Sequence, residues 1–112
     1  PLIAAAVREA LRMLAQEPER RERLHSLIGH AERALRRHGA LATGSQILPL
    51  ILHDDARTMD VASRLQQAGF DVRGIRPPTV PQGTSRLRIS LTLNATADDV
   101  DALARTLGET LG

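Results

Sequence analysis

The residues of this chain best suited to chemistry lie in IRPPTVPQGTSRLRISL, from Ile75 to Leu91. In its RLRISL segment, strand alternation places Leu87, Ile89 and Leu91 on one face and Arg86, Arg88 and Ser90 on the other. Two guanidinium groups on one face repel each other unless anions or acidic side chains stand opposite. Each offers a planar fork that matches a carboxylate or a phosphate. The chemistry open to such a strand is anion binding, although internal salt bridges or a solvated polar face would satisfy the same spacing. The preceding loop favours the anion clamp. Pro77, Pro78 and Pro81 should hold its backbone extended and Gly83 permits a turn, so Arg76 and Thr79 would be presented with little conformational freedom left to lose. A plainer use of the same prolines is to protect an exposed edge.

The other reactive side chains are few. Cysteine is absent, which removes disulfides and thiolate chemistry, and all 15 basic residues are arginine, so no side-chain amine is present for a Schiff base. His25, His30, His38 and His53 are the imidazoles; their spacing to acids resembles no metal site, and surface positions are expected for them. Ser45 and Ser90 lack a His/Asp pattern, and no glycine-rich phosphate loop appears. No catalytic, cofactor-holding or metal-binding set is expected within the chain itself.

The elements that must position these residues follow from periodicity. Ile3, Val7, Leu11 and Leu14 predict a helix from Leu2 to about Gln16, which the Glu17–Pro18 pair should end. A second helix should start at Pro18 and run to about His38, on a stripe of Leu24, Leu27, Ile28, Ala31 and Leu35, with Gly39 as its stop. Its arginines alternate with Glu17, Glu19, Glu22 and Glu32, which reads as a solvated mixed-sign face rather than a phosphate patch.

Gln46–Leu52 predicts a strand in which Pro49 requires an edge or a bulge. Asp54 or Asp55 should cap a helix ending near Ala68, buried through Val61, Ala62, Leu65 and Ala68 and stopped by Gly69. A short strand, Phe70–Ile75, the proline loop, and a strand from Arg86 to about Leu93 follow. Thr96 and Asp99 form a capping-box pattern ahead of a helix with Val100, Leu103, Leu107 and Leu111 on its apolar face. This order predicts an α+β fold, a small antiparallel or mixed sheet covered by helices on one face.

Composition sets the outer bounds. With 112 residues, 42% apolar and 25% charged, the chain suits one globular domain. Phe70 is the one aromatic residue, so the core must be aliphatic. A pI of 10.9 reflects only the lack of Lys, Tyr and Cys, the groups that titrate between neutrality and the arginine pKa; the net charge is +2. RNA platforms stack bases on aromatic rings, and a chain with one ring and little charge argues against a nucleic-acid partner. No apolar run approaches the length of a membrane span, and a cytoplasmic setting fits. The chain opens at Pro1 with residues that already read as helix, which suggests a piece of a longer protein.

The run GSQILPLILHDDARTMDVASRLQQAGFDVRGIRPPTVP, followed by RLRISL, resembles the C-terminal signature of the 8-amino-7-oxononanoate synthase family. That family is the biotin-pathway branch of the α-oxoamine synthases, fold-type I enzymes that use pyridoxal 5′-phosphate. The resemblance covers residues 42–111. It implies residues 42–112 as a small C-terminal domain and residues 1–41 as a helical link from a large domain. The implied reaction is decarboxylative condensation of L-alanine with a pimeloyl thioester, carried by coenzyme A or a carrier protein, in a cytoplasmic homodimer. By resemblance, Arg88 binds the amino-acid carboxylate, Thr79 contacts substrate and Arg76 lines the acyl side. The family's Schiff-base lysine, stacking histidine and pyridine-facing aspartate have no counterpart here, so this chain would supply substrate-binding residues and be inactive alone. The alternatives are another α-oxoamine synthase acting on glycine or serine, or a non-catalytic α+β ligand-binding module. The fragment could also self-associate through its uncovered face.

Overall fold

The computed structural model describes the backbone of residues 2–92 and 94–112, and the side chains of residues 17–92 and 94–112. Helix α1 (Leu2–Leu35) leads through a 3-10 turn (Arg36–His38) to strand β1 (Ile47–His53) and helix α2 (Asp55–Gln67). Strands β2 (Val72–Ile75) and β3 (Ser85–Ser90) and helix α3 (Ala97–Leu111) complete the chain. The sheet is antiparallel throughout, in the order β1-β3-β2. The α+β architecture expected from element order is the one observed.

The sheet has one buried face. Leu48 and Leu50 of β1, Leu87 and Ile89 of β3 and Val72 of β2 are at most 1% exposed and point towards the helices. Helix α2 packs on all three strands, and α1 packs on α3. Leu27, Ile28, Ala31 and Leu35 of α1 join the same core as Leu103 and Leu107 of α3. A 2.7 Å contact between His30 Nε2 and Asp101 Oδ1 ties those two helices at their rim.

Local chemistry accounts for the ends of these elements. Asp54 accepts from the Arg57 amide at 2.7 Å, making it the cap of α2. Thr96 and Asp99 form the reciprocal capping box of α3. Gly39 and Gly69 take up positive φ (101° and 96°), where a Cβ would be strained. Pro49 sits on an edge strand as expected, and the outer side of β1 is covered by the Ala40–Leu50 bridge and the Leu41 amide on the Pro49 carbonyl.

Four expectations need correction. The two leading helices are one, because α1 runs through Pro18. Proline's fixed φ is itself helical; what it removes is one N–H and some room in the preceding turn. Residues 17–23 are exposed, and the Glu17–Arg21 pair at 3.4 Å spans the turn that contains Pro18. Ala68 is exposed, because it is the C-cap of α2 and lies past the last packed turn. β3 ends at Ser90, and Leu93 lies outside the described residues, as do the side chains of Ile3, Val7, Leu11 and Leu14. The proline loop is not extended. It holds two tight turns, closed by the Thr79 amide on the Arg76 carbonyl and by the Thr84 amide on the Pro81 carbonyl, both 3.1 Å. Proline restricts φ but leaves ψ open, so the same residues serve an extended segment or a turn.

His53 closes β1 with φ of 72°, a left-handed conformation costly for a residue with a Cβ. Its Nδ1 donates to the Gly83 carbonyl at 3.1 Å, tying the strand end to the proline loop. His53→Val should therefore unfold more easily than His53→Gly by about 1–2 kcal/mol in chemical denaturation. Equal stability of the two variants would show that the fold does not impose this φ.

Candidate functional site

The helices cover one face of the sheet and leave the other free. Register puts Pro49, Arg88 and Arg73 in one row across that free face, and Ile51, Arg86 and Ile75 in the next. Ile47 and Ser90 form a third row. Arg88 is thus central, flanked by proline on one side and a second guanidinium on the other.

The two arginines of β3 differ in their surroundings. Arg86 is half-buried and its Nε donates to the Thr84 carbonyl at 3.2 Å, so it braces the base of the loop. Arg88 is exposed, and its side chain makes no hydrogen bond or ion pair among the described residues. The ion pairs recorded among those residues are Arg21–Glu17, His30–Asp101 and Arg64–Asp60, none on this face. Internal salt bridging, one of the two uses open to the strand from its sequence, is therefore not what the structure records for Arg88.

Arg76 and Thr79 sit beyond the end of β2, at the two ends of the first turn of the proline loop, and both side chains are exposed. They lie past the row of Arg86 and Ile75, whereas Arg88 lies on its other side. All three are exposed, Arg88 on the open face of the sheet and the other two in the turn beyond β2, and no side-chain contact between them is recorded among the described residues. Arg73 escaped the sequence reading. Alternation within Val72–Ile75 would have put it on one face with Ile75, but its place beside Arg88 depends on the register of β2 against β3.

The strand that carries Arg88 is well anchored. Ser85, fully buried at its start, donates its hydroxyl to Asp55 in the first turn of α2. At the other end, the Leu91 amide bonds the Gln46 carbonyl at 2.9 Å, and Gln66 Nε2 donates to the Val72 carbonyl at 2.7 Å. A guanidinium on such a strand moves little at its base, which suits orientation of a small anion. The chain contains no lysine, so no side chain in it can hold pyridoxal phosphate covalently. Among the described residues, no group of three metal-ligating side chains occurs and no helix is long and apolar enough to cross a membrane.

Residues 1–107 match the family model for aminotransferase class I and II, and the chain belongs to that family. Within it, the chain is 46% identical over 105 residues to an 8-amino-7-oxononanoate synthase of Chromohalobacter salexigens, covering 92% of this chain and 27% of that protein. It is 41% identical over 113 residues to one from Anaeromyxobacter dehalogenans, covering 99% and 28%. The chain therefore spans little more than a quarter of the length of these relatives. Among solved structures it is similar to serine palmitoyltransferase of Sphingomonas wittichii, with a TM-score of 0.78 at 25% identity over 91% of this chain and 27% of the other. An 8-amino-7-oxononanoate synthase from Francisella tularensis superposes with a TM-score of 0.72 at 20% identity over 90% of this chain and 30% of the other, a likeness of fold. The fold is that of the corresponding part of these α-oxoamine synthases.

Proposed function

We propose that this chain is the C-terminal domain of an 8-amino-7-oxononanoate synthase, with residues 1–41 as the helical link and residues 42–112 as the small domain. The full-length protein would condense L-alanine with a pimeloyl thioester, releasing carbon dioxide and the free carrier thiol, as a cytoplasmic homodimer. The observation that carries the reading is Arg88: an exposed guanidinium without a partner among the described residues, central on the open face of an anchored sheet. Identities of 40–46% to synthases of that name support the choice of substrate pair.

Pyridoxal 5′-phosphate would be held by the remaining polypeptide and would supply the electron sink of the reaction. The residues of this chain act on the substrate. Arg88 receives the amino-acid carboxylate in its fork and fixes the orientation of the α-carbon. Thr79 offers a hydroxyl at the turn, and Arg76 borders the acyl side of the same opening. Pro49 and Ile51 supply an apolar floor beside the clamp. The chain alone would be inactive, because it lacks the lysine that carries the cofactor.

The similarity to serine palmitoyltransferases supports a second reading, another α-oxoamine synthase with a different amino acid and acyl chain. One assay separates the two. The full-length protein, given L-alanine, glycine or L-serine with pimeloyl or palmitoyl thioester, is followed by thiol release. Turnover with L-alanine and pimeloyl thioester at least about tenfold above every other pair is expected, a discrimination of about 1.4 kcal/mol. Preference for L-serine with palmitoyl thioester would replace the first reading by the second. Thiol release with none of the pairs would reject both.

A further inference from the structure

Arg73 and Arg88 are direct cross-strand partners on the open face of the sheet. Side chains so placed leave their strands with Cβ atoms about 4.5–5.5 Å apart, and like charges in that position destabilise a sheet. Both guanidinium groups are exposed, and neither makes an ion pair or a hydrogen bond among the described residues. Asp71, whose carbonyl accepts from the Ser90 amide at 3.1 Å, stands two residues before Arg73 and pairs with neither. On the other flank of Arg88 the partner is Pro49, which brings no charge. The face therefore concentrates two uncompensated cations where one would serve as a carboxylate fork.

We propose that Arg73 is a positioning residue for the anion that Arg88 receives: it strengthens binding of an amino-acid carboxylate without meeting the reacting atoms. This rests on the carboxylate-clamp reading of Arg88. The physical reason is the field. A second positive charge a few ångströms from the fork deepens the potential that the carboxylate enters, and the anion in turn relieves the repulsion between the two arginines. Apolar Ile51 and Ile75 in the adjoining row limit the screening of that pair on one side.

The test uses the full-length protein with L-alanine as the probe. Arg73→Gln should raise KM for L-alanine about 3- to 10-fold with kcat within about twofold of the parent. Arg73→Lys should keep KM within about twofold, because the charge remains. Arg73→Glu should raise KM at least about 30-fold, since a carboxylate there would occupy the Arg88 fork itself, while the thermal midpoint stays level or rises as the like-charge pair is removed. Raising the salt concentration should increase the parent's KM more than that of Arg73→Gln. An unchanged KM in Arg73→Gln and Arg73→Glu, with Arg88→Ala still impaired, would overturn the role of Arg73 and leave the clamp intact. An unchanged KM in Arg88→Ala would remove the clamp first. Should Arg73→Glu fail to fold, the Lys and Gln variants decide the matter.

Discussion

Replacing Arg88 by alanine in the full-length protein is expected to raise KM for L-alanine by about two to three orders of magnitude. A hydrogen bond to a charged group contributes about 1.5–3 kcal/mol, and the fork makes two of them to one carboxylate. Each 1.4 kcal/mol is a factor of ten in affinity, so a loss of about 3–4 kcal/mol follows from the proposed role. Because Arg88 braces no other part of the fold among the described residues, the substitution should leave the thermal midpoint nearly unchanged. Arg86 provides the internal contrast. Its Nε is committed to the Thr84 carbonyl, so Arg86→Ala should loosen the loop and affect KM for L-alanine much less. Arg88→Lys should fall between parent and alanine variant, since an ammonium keeps the charge but loses the planar fork. Steady-state kinetics with varied L-alanine at saturating thioester reads all three. An Arg88→Ala enzyme with the parent's KM and kcat would end the clamp assignment.

What the sequence made legible, and what it did not, divides along range of interaction. The alternation in RLRISL was readable because one buried face of a strand imposes period two, and Leu87 and Ile89 are indeed fully buried while Arg88 is exposed. The Thr96–Asp99 box and the Asp54 cap were readable because a cap bonds amides within one turn of itself. Pro18 was misread because proline's fixed φ is compatible with a helix, and the one N–H it removes does not by itself end α1. The pairing of Ser85 with Asp55, and the alignment of Arg73 with Arg88, join residues 30 and 15 positions apart. No local pattern encodes them; they depend on how the loop between β2 and β3 sets the register. The candidate site was therefore visible in outline as an arginine on a strand, and the second guanidinium aligned beside it was not.

The largest stability effect should come from the middle of the sheet. Leu87 is 0% exposed on the central strand, opposite Leu50 of β1 and Gly74 of β2. Gly74 brings no side chain, and Met59 and Ala62 of α2 pack over its backbone, with Met59 Sδ 2.7 Å from where a Cβ would stand. Truncating Leu87 to alanine removes three carbons from a fully buried position on the central strand and leaves a cavity that its packed neighbours fill only in part. The expected cost is about 3–4 kcal/mol, in the middle of the usual range for such substitutions. Native-state hydrogen exchange on the full-length protein is the suitable measurement, because it reports the opening of this unit separately from the rest of a longer chain. Amides of β1, β2, β3 and α2 should lose protection together by about 10²- to 10³-fold, since α2 packs on all three strands. Leu87→Met conserves volume and should cost less than about 1.5 kcal/mol. If Leu87→Ala left protection in these elements as it is, or weakened β3 alone, the sheet and α2 would not open as one unit. The support on which Arg88 is mounted would then be softer than its hydrogen bonds to Asp55 and Gln46 at either end imply.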